Sequence, residues 1–197
     1  MHPKTLVRTA GATALMLLAA SAAQAHPGHG ADGFATGFSH PFLGLDHLLA
    51  MAVVGVWSAA ALPASRRLAG PAVFLAMLLL GAALPQLGMA LPGIEAGVAL
   101  SVVVLGALMF GARQMPAAAG IVLVGVAALL HGVAHGGEMA VGQSFAGYAA
   151  GFMLASALLH LAGLMAGGWL QARRVWLRRA AAALVGGSGV LMLATRL

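Results

Sequence analysis

The chain has 197 residues, of which 61% are hydrophobic and only 7% are charged. A soluble domain usually carries roughly 25% charged residues, so this composition excludes a protein that faces water on all sides. The net charge of +6 does not indicate a nucleic-acid-binding protein, because the arginines lie in short clusters between apolar runs, as they do in membrane proteins.

The first 25 residues have the features of a secretory signal peptide. A positive start with Lys4 and Arg8 precedes an apolar stretch that is too short to span a membrane comfortably. An Ala-x-Ala pattern of the kind that signal peptidase accepts ends at Ala25. We therefore predict a cleavable signal peptide, after which residues 26–197 form a single domain whose N-terminus lies outside the membrane.

Six apolar segments follow, and each is close to the roughly 20 residues that a helix needs to cross the hydrocarbon core. Only helices and closed barrels satisfy their backbone in lipid, and runs this long without alternation are typical of helices. The sequence therefore predicts an all-α fold with six transmembrane helices. The predicted spans lie near Phe42–Leu62, Leu68–Leu91, Gly93–Gly111, Pro116–His135, Phe145–Leu170 and Val175–Ala194.

The charges of the connecting loops predict the orientation. With the N-terminus outside, the basic residues assigned to the inner loops are Arg66, Arg67, Arg113, Arg173, Arg174, Arg178 and Arg179. Only Arg196 then falls outside, which agrees with the positive-inside rule. We therefore predict a multi-pass protein of the bacterial cytoplasmic membrane with both termini on the periplasmic side.

The first polar cluster lies at the start of the first predicted span. Four of its residues follow at intervals of four, three and four, namely His40, Gly44, His47 and Met51. A continuous helix would place them on one face, with Asp46 turned away by one residue. An ionised carboxylate at bilayer depth costs roughly 2.5–3.5 kcal/mol on insertion scales, so Asp46 indicates a functional site.

The second cluster lies at the end of the fourth span and consists of His131, His135 and Glu138. Their spacing places all three side chains on one face if the helix continues to Glu138. Imidazole suits divalent transition metals, and the absence of cysteine leaves only nitrogen and oxygen ligands. Because the predicted topology places both clusters near the outer face, we expect them to form a common metal site.

Three further histidines extend this site into a predicted route. His26 and His29 lie on the outer N-terminal tail, and His160 lies deeper, inside the fifth span. We interpret the tail as a capture segment and His160 as an inner relay. For His160 the alternative is a structural hydrogen bond between helices. For His26 and His29 the alternative is that they have no role in metal binding and reflect the composition of the tail alone.

Two motifs carry a resemblance to a known family. The pattern HPxxGxDHxxxM at residues 40–51 and the pattern HGxAHGxE at residues 131–138 resemble those of the HupE/UreJ family. The resemblance implies a six-helix secondary permease for nickel, or for cobalt, with a functional link to the maturation of [NiFe] hydrogenase or urease. It also implies metal binding at His40, Asp46, His47, His131, His135 and Glu138.

Two alternatives from other classes remain open. An intramembrane zinc hydrolase would use Glu138 or Asp46 as the base, and a metal-binding accessory protein would bind without conducting. The sequence has no P-loop and no obvious nucleophile, so we predict a protein that is not an enzyme and has no catalytic cofactor. Ni²⁺ is then cargo, although the residues do not separate it from Co²⁺ or Zn²⁺. The expected partners are the metal ion and membrane lipid. The sequence leaves the oligomeric state open, and a homo-oligomer is possible.

Overall fold

The computed structural model describes residues 32–139 and 142–197, and these residues are helical with no strand. A 3₁₀ turn, Ala64–Arg66, follows the second helix. The seven helices are α1 Asp32–Leu43, α2 Leu45–Ala61, α3 Ala69–Gln86, α4 Ile94–Phe110, α5 Ala117–Glu138, α6 Phe145–Gln171 and α7 Val175–Arg196. The predicted signal peptide and the tail histidines His26 and His29 lie outside the described residues.

Four helices are long and apolar enough to cross a membrane, namely α3 with its preceding 3₁₀ turn, α5, α6 and α7. The helices α1 and α2 form a fifth candidate span if the bent pair is counted as one. The third predicted span, Gly93–Gly111, corresponds to α4, which is apolar but only 17 residues long, shorter than a typical crossing. The structure thus confirms an all-helical, multi-pass membrane protein with four or five candidate spans, against the six predicted.

The start of the first predicted span is wrong. The chain leaves helical geometry at Gly44, whose φ of −99° and ψ of 120° are extended, and α1 and α2 meet there at 81°. His40 therefore belongs to α1 and His47 to α2, so they do not share one continuous helix face. A Cβ at Gly44 would lie 2.9 Å from both Asp46 Oδ1 and His47 Nδ1, so glycine lets these two side chains fold back over the break.

The bundle is assembled from closely packed helix pairs: α3 against α5, α2 against α6, α4 against α7, and α1 against the start of α6. Small residues permit the close approach, as is usual for helices in lipid. A Cβ at Gly132 in α5 would overlap the backbone of Leu78 in α3, and one at Gly163 in α6 would overlap that of Ala52 in α2.

The polar groups divide between the two ends of this bundle. Contacts among Asp46, Glu95 and Arg196 bring together the starts of α2 and α4 and the end of α7. At the opposite end, Arg113 and Arg178 both bond Gln171, so the connections after α4 and α6 meet there. The end with the acidic groups and the end with the arginine clusters are therefore distinct, as the loop charges predict.

We expect Gly163→Ala to lower the free energy of unfolding by about 1–3 kcal/mol, because the added methyl group overpacks the α2–α6 contact. Gly168→Ala, five residues further along α6, is the matched control, since nothing lies within 4 Å of its Cβ position. The measurement is thermal unfolding of the purified proteins in detergent. Equal melting temperatures for the two variants would contradict the close packing.

Candidate metal centre

Three histidines from three different helices converge at one end of the bundle. One nitrogen from each of His40, His47 and His135 lies within 4.8 Å of those of the other two. The ring centroids of His47 and His135 are 3.7 Å apart, and those of His40 and His135 are 4.5 Å apart. Nitrogens that share one ion at about 2.1 Å lie no more than about 4.2 Å apart, so these rings need only a small adjustment to hold a cation. We call these three residues the histidine triad.

Glu138 lies at the rim of the triad. Its Oε2 is 3.2 Å from His40 Nε2 and 3.5 Å from His135 Nδ1, and 48% of its side chain remains exposed. The helix α5 continues through Gly136 and Gly137, so Glu138 keeps the face that it shares with His135. A carboxylate is therefore available beside the three imidazoles, on their accessible side.

Asp46 contacts the triad at His47, the next residue in the chain. Its Oδ1 accepts a hydrogen bond from the His47 backbone N–H at 2.8 Å and also contacts His47 Nδ1. Its Oδ2 accepts a hydrogen bond from Arg196 Nη2 at 2.7 Å. Both oxygens are thus engaged, and the group of side chains that could hold an ion does not include Asp46. With His47 Nδ1 held by the carboxylate, the lone pair of His47 Nε2 is the one free for a metal, as in carboxylate–histidine–metal sites.

His131 lies next to the triad, one turn earlier in α5. Its Nδ1 donates a hydrogen bond to the Ala127 carbonyl oxygen at 2.8 Å, which fixes the neutral ring with its lone pair on Nε2. Its ring centroid lies 4.9 Å from that of His47. The two predicted clusters therefore meet at this end of the bundle.

His160 packs against the aromatic side chain of Phe74. The Phe74 ring, which is fully buried, lies 4.8 Å from the His160 ring and 6.1 Å from the His131 ring. Neither nitrogen of His160 has a hydrogen-bond partner among the described residues. The helix–helix hydrogen bond considered for His160 is therefore not observed in this part of the chain.

The unpartnered nitrogens are the strongest sign of a ligand site. Six buried ring nitrogens of His47, His131, His135 and His160 have no hydrogen-bond partner within the described ranges. An unsatisfied buried polar group costs about 1–3 kcal/mol, so folded proteins rarely concentrate them without a use. Phe152 packs its ring 4.4 Å from that of His135 and closes the α6 side with an apolar wall. Electron-pair donors gathered in an apolar enclosure suit a transition-metal cation.

Sequence reasoning missed the role of Arg196. Its guanidinium bonds Asp46 and also lies 3.4 Å from Glu95 Oε2, so it joins α7 to the starts of α2 and α4. The sequence contained a signal for this contact, because Arg196 is the one basic residue on the predicted outer side, where the acidic residues also fall. Phe74 was missed as well, and an apolar residue in an apolar helix gives no such signal.

Comparison with known proteins confirms the family resemblance. The profile of the family described as HupE / UreJ protein matches residues 14–192. The chain is also 40% identical over 144 residues to "Protein HupE" of Rhizobium leguminosarum bv. viciae, an alignment that covers 73% of this chain and 75% of that protein. No solved structure matches the chain.

We expect Asp46→Asn to weaken Co²⁺ binding about 10–100-fold, because carboxylates that orient a ligating histidine usually contribute this much to metal affinity. The measurement is calorimetric titration of the purified protein in detergent. His135→Gln, which removes a triad nitrogen, should weaken binding at least as strongly. Wild-type affinity in Asp46→Asn, with its helical content unchanged, would show that Asp46 does not orient His47 for the metal.

Proposed function

The chain belongs to the HupE/UreJ family, and on that basis we propose that it is a secondary permease that carries Ni²⁺ across the cytoplasmic membrane. The observation that carries this proposal is the histidine triad, in which three helices offer nitrogens within 4.8 Å of one another inside an apolar bundle. In this proposal the ion is cargo that passes from the outer side to the cytoplasm, where it supplies [NiFe] hydrogenase or urease.

The proposed binding step begins at Glu138. Its exposed carboxylate draws the hydrated dication to the rim, and its negative charge offsets part of the cost of removing water. The ion then binds the triad, of which His40 and His135 lie within reach of that carboxylate. This set of nitrogen and oxygen donors suits Ni²⁺, Co²⁺ and Zn²⁺ better than soft ions that prefer thiolates. The capture role of His26 and His29 stays a prediction.

The proposed route continues deeper into the bundle. The next nitrogen whose lone pair is available to the ion is His131 Nε2, which has no hydrogen-bond partner among the described residues. The His131 ring lies 4.9 Å from that of His47. Phe74 follows in the proposed route, since its ring lies 6.1 Å from that of His131 and 4.8 Å from that of His160. An apolar ring at this point would hold back water and weakly bound ions. An ion that imidazoles bind on both sides of the ring, at His131 and at His160, would pass when the ring moves aside.

The membrane potential is the proposed driving force. An inside-negative potential favours inward movement by about 2.3 kcal/mol per charge per 100 mV, and a dication that crosses the whole field gains twice that. The arginine-rich end of the bundle would face the cytoplasm and the triad end the periplasm. This orientation places the triad where it meets external metal.

In proteoliposomes with an inside-negative potential, we expect the wild-type protein to take up radioactive nickel above the level of protein-free vesicles. His47→Ala and His131→Ala should each lower the initial rate about tenfold or more, because each removes a donor nitrogen from the route. Gly168→Ala, changed at an open position of α6, is the control and should match wild type. Nickel bound by the protein without appearing inside the vesicles would favour the accessory role. Hydrolysis lost in His135→Ala would favour the zinc enzyme.

Nickel uptake should also fall as the external pH is lowered from 7 to 5. An imidazole ligates only in its neutral form, so protons compete with the metal for the same nitrogens. The measurement is the initial uptake rate at a constant imposed potential across this pH range. A rate that rises steadily toward pH 5 would count against histidine ligation.

A further inference from the structure

A cavity of about 140 Å³ lies at the arginine-rich end of the bundle, opposite the histidine triad. Residues from the ends of α2, α4 and α6 and from the start of α7 line it. Three of the lining residues are arginines, namely Arg113, Arg178 and Arg179. The cavity is much larger than a single water molecule needs, so it has room for a ligand of several atoms.

The guanidinium groups of these arginines contact other residues that line the cavity. Arg113 Nη2 donates a hydrogen bond of 3.0 Å to Gln171 Oε1, and Arg178 Nη1 donates one of 3.2 Å to the Gln171 carbonyl oxygen. The Arg179 guanidinium carbon lies 5.6 Å from the centre of the Phe110 ring. Each guanidinium has five N–H donors, and these contacts use few of them. Most of the donors therefore remain available to a ligand.

Within the described residues, no carboxylate pairs with these three arginines. The whole chain has only four acidic residues, Asp32, Asp46, Glu95 and Glu138. The last three form their ion pairs at the triad end, with histidines or with Arg196. The helix α1, which begins at Asp32, packs against the start of α6, and the cavity lies at the other end of that helix, roughly 40 Å away at 1.5 Å per residue. The positive charge at the cavity is thus not neutralised by acidic side chains, which favours an anionic ligand.

The surroundings of the cavity indicate that it lies at the depth of lipid headgroups. Trp169 and Trp176, two of the three tryptophans of the chain, are exposed and lie on either side of Gln171 in the sequence. Exposed tryptophans are enriched at the interface between hydrocarbon and water. The exposed side chains of Phe110 and Val175 also line the cavity, so apolar surface adjoins the guanidinium groups. An anion dissolved in water needs no such surface, whereas a phospholipid carries a phosphate group attached to apolar chains.

We propose that this cavity binds the phosphate group of an anionic phospholipid, and that Arg113, Arg178 and Arg179 hold it. Basic pockets between transmembrane helices on the cytoplasmic side bind lipid headgroups in this way. The bound lipid joins the connection after α4 to the connection after α6, which already meet at Gln171, and stabilises this end of the bundle. The site is independent of the proposed metal transport, since it uses none of the metal-binding residues.

The test measures lipid binding to the purified protein by native mass spectrometry, in detergent micelles that contain phosphatidylglycerol or phosphatidylcholine with the same acyl chains. We expect wild type to bind phosphatidylglycerol at least about fivefold more tightly, because the arginines repel the choline cation. Arg178→Gln and Arg179→Gln should each weaken phosphatidylglycerol binding about fivefold, which is the contribution of one arginine near an anionic membrane surface. Arg174→Gln removes the same charge from the same segment, but Arg174 is not among the lining residues, so this matched control should bind as wild type does.

Thermal unfolding of the same proteins separates a lipid from a free anion. Phosphatidylglycerol should raise the melting temperature of wild type more than that of Arg179→Gln, and inorganic phosphate added to phosphatidylcholine micelles should not raise it. An equal rise with inorganic phosphate overturns the assignment to a lipid. Equal wild-type affinity for the two lipids overturns the site, as does an equal loss of affinity in Arg174→Gln and Arg179→Gln. Arg179 makes no hydrogen bond within the described ranges, so Arg179→Gln remains decisive if Arg178→Gln does not fold.

Discussion

The break at Gly44 is the constraint on which the geometry of the histidine triad depends. Because α1 and α2 meet there at 81°, His40 and His47 lie on two different helices that face each other across the bend. The absence of a Cβ at the break leaves room for the side chains of Asp46 and His47. A straight helix would place both imidazoles on one line, whereas the bend brings them, with His135 of α5, around a common centre.

Electrostatics at this end of the bundle follow from the scarcity of acidic groups. Asp46 is paired with His47 and Arg196, Glu95 with Arg196, and Glu138 lies against two imidazoles. A membrane-embedded chain tolerates such groups only where they find partners, so they collect in one place. Asp46 and Glu95 are paired with Arg196, whereas Glu138 contacts only imidazoles among the ion pairs of the described residues and is half exposed at the rim of the triad.

Two further buried histidines have ring nitrogens without a partner within the described ranges. His131 lies one turn before His135 in α5, and its ring is 4.9 Å from that of His47. The Phe74 ring contacts the rings of both His131 and His160. Glycine contacts such as those of Gly132 and Gly163 hold the helices close enough to keep these imidazoles away from lipid. Tight packing therefore keeps unpartnered nitrogens inside an otherwise apolar bundle.

The sequence by itself determined the helical membrane class, the separation of acidic and basic ends, and the two motifs that supply the imidazoles. These properties are local, since the length of an apolar run and the spacing of histidines can be read along the chain. Only the tertiary structure decided that Asp46 pairs with Arg196, 150 residues away, that Phe74 contacts both His131 and His160, and that α1 folds back at Gly44. The physical reason is that side-chain partners depend on how helices pack and on where the backbone bends. An argument from helical periodicity assumes a straight backbone.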